Sequence, residues 1–475
     1  MSGEDGISAV AGAAGAAAVE AGRQMAAAAG SVVDDVAAGR WRRAGLVGLT
    51  VGVVAAGAAA GVAVERMALG RDMRRRASIE VDAAAVFGSL RGAPRTVAAP
   101  DGTELYVELD GLARPGAVPT SAAAPVPTGE DAAAGSAGGT GRKGWLGRLR
   151  AAGGSQPAGA GPLGGVLSGV GSWLGMAPTP PLTVVFCHGY CLNQDSWHFQ
   201  RAAFREGLRL VFWDQRSHGR SERSRSHLEG RPAAIDQLGG DLKAVIDAVA
   251  PTGPLVLVGH SMGGMTVMAL ADQHPELFAE RVAAVALIGT TAGGWSGVTL
   301  GLPSYGAKVL HRVAPGVLKA LGRQRDLVER SRRLGSDLTS VLYRKFSFGT
   351  EDVDPAVERF AQRMLEATPI DVVAEFFPVF DLHEKKAALA AFRGVPTLVL
   401  GGTRDLLTPP EHSEAIAAEL PDAELVIVQD AGHLVMLERP DLVNTQLALL
   451  LEQAARRTGA PLPQAVRDLA VPRLP

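Results

Sequence analysis

The sequence predicts an α/β fold: a mostly parallel sheet flanked by helices, with a helical cap inserted after the sixth strand. Three observations carry that prediction. From residue 181 onward, short apolar runs alternate with segments of helical spacing, as a parallel sheet with crossover helices requires. One run, Leu255-Val256-Leu257-Val258, leads directly into Gly259-His260-Ser261-Met262-Gly263-Gly264 and a helix-like segment from Thr266 to Gln273. About a hundred residues of helix-like sequence, Thr291 to Phe392, then separate two further runs.

The strands follow in order. Val97-Ala98-Ala99, a turn at Pro100-Asp101-Gly102 and Leu105-Tyr106-Val107 read as a hairpin, within a segment spanning 93–112. Leu182–Cys187 and Leu208–Trp213 are buried-strand runs. Ile235, Leu238, Leu242, Val245, Ile246 and Val249 share one face of a helix expected to begin at Pro232. Leu255–Val258, Val282–Ile288, Pro396–Leu400 and Leu425–Val428 complete the sheet, whose core occupies 181–291 and 393–457, with a tail at 458–475. The cap occupies 292–392.

A serine with glycine two residues before and two after, at a strand-to-helix turn, is a nucleophile elbow: small neighbours let strand and helix approach while the hydroxyl stands free. His188-Gly189-Tyr190, then Asp214-Gln215-Arg216-Ser217-His218-Gly219-Arg220-Ser221, then Gly259 to Gly264, resemble the α/β-hydrolase superfamily in order and spacing, and within it capped esterase- or lipase-like members. The resemblance covers roughly 93–112 and 180–457 and implies a catalytic triad of Ser261, Asp405 and His433. The acid in Gly401-Gly402-Thr403-Arg404-Asp405 follows one late strand, and the histidine in Ala431-Gly432-His433 follows the last. Ser261 needs an adjacent base, His433, whose tautomer Asp405 would fix. The backbone N–H groups of Tyr190 and Met262 are the implied oxyanion hole, each worth about 3–4 kcal/mol in the transition state. His188, Gly189, Gly259, His260 and Gly263 are expected to shape loops.

Other residues compete for these roles. Asp214 also follows a strand, but it precedes the elbow, so a loop role suits it better. His198, His227, His274, His311, His383 and His412 have no comparable strand-end setting, and a surface role is expected. Ser217 departs from the glycine that family members often carry there, which marks its loop as unusual. The serine at the elbow argues against dehalogenase or epoxide hydrolase chemistry, which the fold runs from an aspartate.

In the cap, Phe376, Phe377 and Phe380 form an apolar cluster that suits an acyl pocket or equally the packing of the cap itself. Lys308 to Lys345 carries ten Lys and Arg against three Asp and Glu. A solvated basic face is the plainer reading, and contact with anionic lipid the sharper one.

The first third is different in kind. Residues 1–43 are Ala/Gly-rich and too poor in large apolar groups to offset ordering entropy. Ala44 to Val64 carries no charge over 21 residues, long enough to cross a bilayer. Arg40, Arg42 and Arg43 precede it, and Arg66, Arg71, Arg74, Arg75 and Arg76 lie in the basic linker 65–92. A single-pass anchor is the favoured reading, over a surface-lying Ala/Gly helix or an export signal, with the following domain cytoplasmic by the arginine excess. Residues 113–180 are Gly, Ala, Pro and Ser-rich and read as a low-complexity insertion, with Trp145-Leu146 and Leu167 to Met176 as small apolar clusters.

The whole chain has 47 Lys and Arg against 49 Asp and Glu, a net charge of −2 that points to no nucleic-acid partner. Cys187 and Cys191 are too few for a disulfide framework. No Cys/His set has zinc-like spacing and no Gly-rich phosphate loop follows the first strand, so no metal and no cofactor is expected. The expected partner is a small-molecule substrate; the oligomeric state stays open. The implied activity is a serine hydrolase acting on a carboxylic ester through an acyl-enzyme, on a hydrophobic or lipid-like substrate. Acyl transfer, carbon–carbon bond hydrolysis and cofactor-free peroxidation use the same triad, and a non-catalytic ligand-binding or scaffold protein is a further alternative.

Overall fold

The computed structural model describes residues 87–111, 180–298 and 343–471, together with Ala314 and Gly316. Eight strands form one sheet in the order β1-β2-β4-β3-β5-β6-β7-β8. They are β1 (Ala93–Ala98), β2 (Glu104–Asp110), β3 (Thr183–Cys187), β4 (Arg209–Trp213), β5 (Leu255–His260), β6 (Val282–Ile288), β7 (Thr397–Gly402) and β8 (Glu424–Val428). Only β2 runs against the rest, pairing antiparallel with β1 and β4.

The interior strands are apolar throughout because both faces of the sheet are covered. In β3, Val184 and Phe186 enter one apolar cluster and Val185 and Cys187 the other; in β5, Val256 and Val258 oppose Leu255 and Leu257. This is the two-residue alternation of a strand, with a core on each side. Helix α1 (His198–Phe204) and the late helix Pro440–Thr458 contribute to the first core, and helix α2 (Ile235–Val249) and helix α3 (Met262–Gln273) to the second.

Local chemistry fixes the elements. The first hairpin turns where Asp101 accepts the Thr103 N–H at 3.1 Å and Gly102 takes φ +82°. Helix α2 begins at Ile235, not at Pro232, because Ala234 is still extended and closes the cap position. Helix α3 begins at Met262, earlier than the apolar spacing suggests, since the helix starts directly out of the Ser261 turn. Past residue 457, where the sequence suggests a tail, Leu462, Val466 and Ala470 pack into the first core.

Within the cap, helix α4 (Pro355–Ala367) turns its apolar face to the first core through Val357, Phe360, Ala361 and Met364. Helix α5 (Ile370–Leu382) packs through Val372, Phe376, Val379 and Phe380 in one cluster with Met262, Met265 and Trp295. The expected anchor at 44–64, all but Pro180 of the expected insertion at 113–180, and most of the basic stretch Lys308 to Lys345 lie outside the described residues. Among the described residues no helix is long and apolar enough to cross a membrane.

Buried charge ties the hairpin to the helices. Arg216 is 1% exposed and bonds Asp241 on α2 at 2.5 and 2.6 Å and Asp101 in the hairpin turn at 2.8 Å. Arg201 on α1, equally buried, bonds Asp110 at 2.6 Å and Glu108 at 2.7 Å, both on β2. Removing one member of such a set strands a charge in the interior. Asp241→Ala is therefore expected to cost about 3 kcal/mol, read as a lower denaturant midpoint at unchanged m-value; a midpoint within error of the parent would contradict it.

Candidate active site

The parallel strands place their carboxyl ends on one edge, and four sequence-expected positions emerge there: Tyr190 after β3, Ser261 after β5, Asp405 after β7 and His433 after β8. A parallel sheet brings together residues far apart in the chain in this way.

Ser261 sits at φ +52° and ψ −119°, a conformation L-residues avoid, between β5 and α3. Its N–H bonds the Ile288 carbonyl at 2.9 Å, and its carbonyl receives the Gly264 N–H at 2.9 Å and the Thr290 hydroxyl at 2.7 Å. Glycine is required on both sides for steric reasons. A Cβ at Gly259 would stand 2.5 Å from the Gly263 carbonyl oxygen, and one at Gly263 would stand 2.1 Å from that of Cys187. Ser261 is half-buried, while His260 and Met262 beside it are fully buried.

His433 Nδ1 lies 2.8 Å from Asp405 Oδ2. The carboxylate accepts, so Nδ1 carries the proton and Nε2 is left as a base. Asp405 further accepts from the Leu407 and Thr408 N–H groups at 2.8 and 2.9 Å and from the Thr408 hydroxyl at 2.8 Å. Burial pushes its carboxyl up, but the His433 imidazole and the Thr408 donors outweigh burial and hold it below the ordinary value. Asp214, the rival acid, points elsewhere: it accepts from the Gln194 and Arg220 N–H groups and shapes its own loop.

The loop-shaping residues surround this pair. His260 Nε2 donates to the His433 carbonyl at 2.9 Å, with the two rings 4.8 Å apart. Burial and the neighbouring His433 lower its pKa to about 3, so it stays neutral. His188 accepts the Gln215 N–H on Nε2 at 2.9 Å and donates from Nδ1 to the Gly189 carbonyl at 2.8 Å. A Cβ on Gly189 would lie 3.2 Å from Ser261 Cβ, so the loop carrying Tyr190 runs hard against the serine. Met262 opens α3, where an N–H has no acceptor inside the helix. Phe376, Phe377 and Phe380 lie on α5 beside these groups: Phe380 packs 5.1 Å from the Tyr190 ring, and Trp295 lies 5.7 Å from Phe377.

Several contributors escape the sequence reading. Thr408 braces Asp405, and its signal is the Asp-x-x-Thr spacing of a side-chain-capped turn. Gln215 accepts the Thr266 hydroxyl at 2.8 Å, linking its loop to α3. Glu438 accepts the Gly432 N–H at 2.7 Å and those of Gly349 and Thr350 at 3.1 Å, which fixes the histidine loop against the returning cap. The surface role expected for His383 is wrong: it is 4% exposed and bonds the Thr291 carbonyl at 3.0 Å, joining the end of α5 to the strand β6 loop.

Ser217, flagged as a departure, has a visible reason to be serine. It holds φ +65°, where glycine costs less, yet its hydroxyl accepts the Ser224 N–H at 3.0 Å and lies 3.4 Å from the Glu375 carboxylate on α5. Glu375 also meets Arg223 at 3.1 Å, and Arg223 meets Asp371 at 3.1 Å; His227 is 3.8 Å away. Burial pushes Glu375 up to about 7 despite Arg223 and Ser217. The folded state therefore holds this proton more tightly than the unfolded chain. Its contribution to stability is full below the ordinary value of 4.5 and is lost as pH rises through about 7. Glu375→Gln is expected to flatten the fall in melting temperature across that window; parallel pH slopes in the two proteins would contradict it.

Comparison with known proteins agrees with the fold. Residues 183–440 match the model of the alpha/beta hydrolase fold family. Proline iminopeptidase PfmaB of Pestalotiopsis fici is 28% identical over 259 residues, 52% of this chain and 83% of that protein. The sn-1-specific diacylglycerol lipase ABHD11 of Mus musculus is 28% identical over 273 residues, 56% of this chain and 80% of that protein. Monoacylglycerol lipase of Mycolicibacterium smegmatis is 32% identical over 142 residues, 29% of this chain and 48% of that protein. Among solved structures, an esterase from Thermogutta terrifontis aligns with TM-score 0.48 at 20% identity, over 76% of this chain and 98% of its own. With the family model spanning more than half of its length, the chain belongs to the alpha/beta hydrolase family.

Proposed function

We propose that the protein is a serine hydrolase that cleaves a carboxylic ester with a substantial apolar part through an acyl-enzyme on Ser261. The observation that carries this reading is the Asp405–His433 pair at 2.8 Å, held at the same sheet edge as a serine in a strained strand-to-helix turn. Ser261 Oγ attacks the ester carbonyl carbon and passes its proton to His433 Nε2. The new oxyanion is met by the Tyr190 and Met262 N–H groups, and Asp405 stabilises the imidazolium. His433 returns the proton to the departing alcohol as the C–O bond breaks. Water then attacks the acyl-enzyme, yields a proton to His433, and the acid leaves as Ser261 regains its hydrogen.

The apolar preference rests on Met262, Met265, Trp295, Phe376 and Phe380 clustering beside the serine turn. Two relatives are named as acylglycerol lipases, which supports the same substrate class. A fluorophosphonate is expected to label the folded protein at Ser261 and to leave Ser261→Ala unlabelled. Asp405→Asn is expected to fold and to lose roughly 10³–10⁴ in kcat. Turnover of p-nitrophenyl esters should rise with acyl length before falling. Unlabelled native protein, or unchanged turnover in Ser261→Ala, sinks the reading; a product formed with a competing alcohol in place of water converts it to acyl transfer.

We also propose that residues 44–64 anchor the chain in a bilayer with the hydrolase on the cytoplasmic side, supported by their uncharged length and by five flanking arginines after against three before. Resistance of the full chain to alkaline carbonate extraction is the expected result, and release into the soluble fraction would refute it.

A further inference from the structure

We propose that helix α5 sets the position of the oxyanion loop through the Tyr190 hydroxyl, which makes that hydroxyl a positioning group for the hydrolytic step; this rests on the reading of the Tyr190 N–H as an oxyanion donor. The Tyr190 hydroxyl donates to the Val373 carbonyl in the first turn of α5 at 2.6 Å. Burial pushes the phenol well above its ordinary pKa, so it remains a donor at any working pH. The next residue is bonded from the same end of α5: the Thr368 hydroxyl, just before the helix, donates to the Cys191 carbonyl at 3.1 Å.

Two bonds of opposite sense at adjacent residues fix more than a distance. One ties the Tyr190 side chain to α5 and the other holds the Cys191–Leu192 peptide, so the loop that carries the Tyr190 N–H is braced at two adjacent residues. The loop needs such support. Cys191 holds φ +59°, a left-handed conformation that a residue with a Cβ does not keep unaided. From within, the Leu192 N–H bonds the Gly189 carbonyl at 3.2 Å and closes the turn. On its other side the loop abuts Ser261, through Gly189. The loop is thus held between the nucleophile and α5. Helix α5 is itself seated on the core by Glu375 against Ser217 and Arg223 and by the packing of Phe380 on the Tyr190 ring.

An oxyanion hole works only when its donors lie at hydrogen-bond distance from the developing charge, not from the ground-state carbonyl. A loop released from α5 would still admit substrate but would meet the transition state less well. The loss should fall on kcat, with KM nearly unchanged.

The test compares the full chain with Tyr190→Phe, which removes one oxygen and leaves the ring and the backbone N–H. With a p-nitrophenyl ester, kcat is expected to fall about five- to tenfold, with KM within about twofold and the pH inflection of kcat unmoved, because the His433–Asp405 pair is untouched. An unchanged kcat, or a loss carried by KM, overturns the proposal. If Tyr190→Phe fails to fold, Thr368→Val is read by the same criteria from the cap side of the contact. Fluorophosphonate labelling of the unaltered chain separates the two levels: labelled protein with full activity in the variants overturns this inference alone, whereas unlabelled protein overturns the hydrolase reading and this inference with it.

Discussion

The site depends on how closely α3 approaches the strands β3 and β5. The backbone of Gly263 comes so near the Cys187 carbonyl that no side chain fits between them, and Gly259 meets the same helix turn from below. That approach goes with the positive φ of the turn at Ser261, which sits half-buried at the carboxyl end of β5. The strain survives because the turn is bonded on every side, by Ile288, Gly264 and Thr290. The backbone of Ser261 is thus held from three directions, on the same sheet edge that carries His433 after β8.

The other members of the site are held by equally local means. Asp405 is kept charged and aimed by four donors, three of them from Leu407 and Thr408 in the turn that follows it. His433 is fixed from two directions, by Asp405 at its ring and by His260 at its carbonyl. Neutral buried imidazoles at 188 and 260 act as shaped hydrogen-bonding wedges: His188 is bonded at both ring nitrogens and His260 at Nε2.

Much of this was legible in the sequence, and for identifiable reasons. Apolar runs mark strands buried on both faces, so Leu255–Val258 and Val282–Ile288 read clearly, and each site residue follows such a run directly. Glycines that cannot accept a Cβ leave a pattern, which is why the elbow is visible before any coordinates. What the sequence hid lies in contacts between distant polar residues. Nothing around Glu375 announces that it meets Ser217, which is 158 positions away, nor does the composition near Tyr190 announce its bond to Val373. His383 looked like a surface residue because a lone histidine carries no periodicity. Helix starts at Met262 and Ile235 were missed for a related reason: neither has a side-chain cap, so the usual residue signal is missing.

The reversed direction of β2 decides where the long connection between β2 and β3 leaves the sheet and returns to it. Because β2 runs against its neighbours, Asp110 ends level with Leu210, and β3 restarts at Thr183 level with Arg209. Both points lie at the amino ends of the parallel strands, whereas the serine, acid and histidine all project from the carboxyl ends. The chain therefore leaves the sheet after β2 and returns to it before β3 at the border opposite the site. Loop-closure entropy grows only slowly with length, so joining β2 to β3 through a long connection rather than a short turn costs the sheet little.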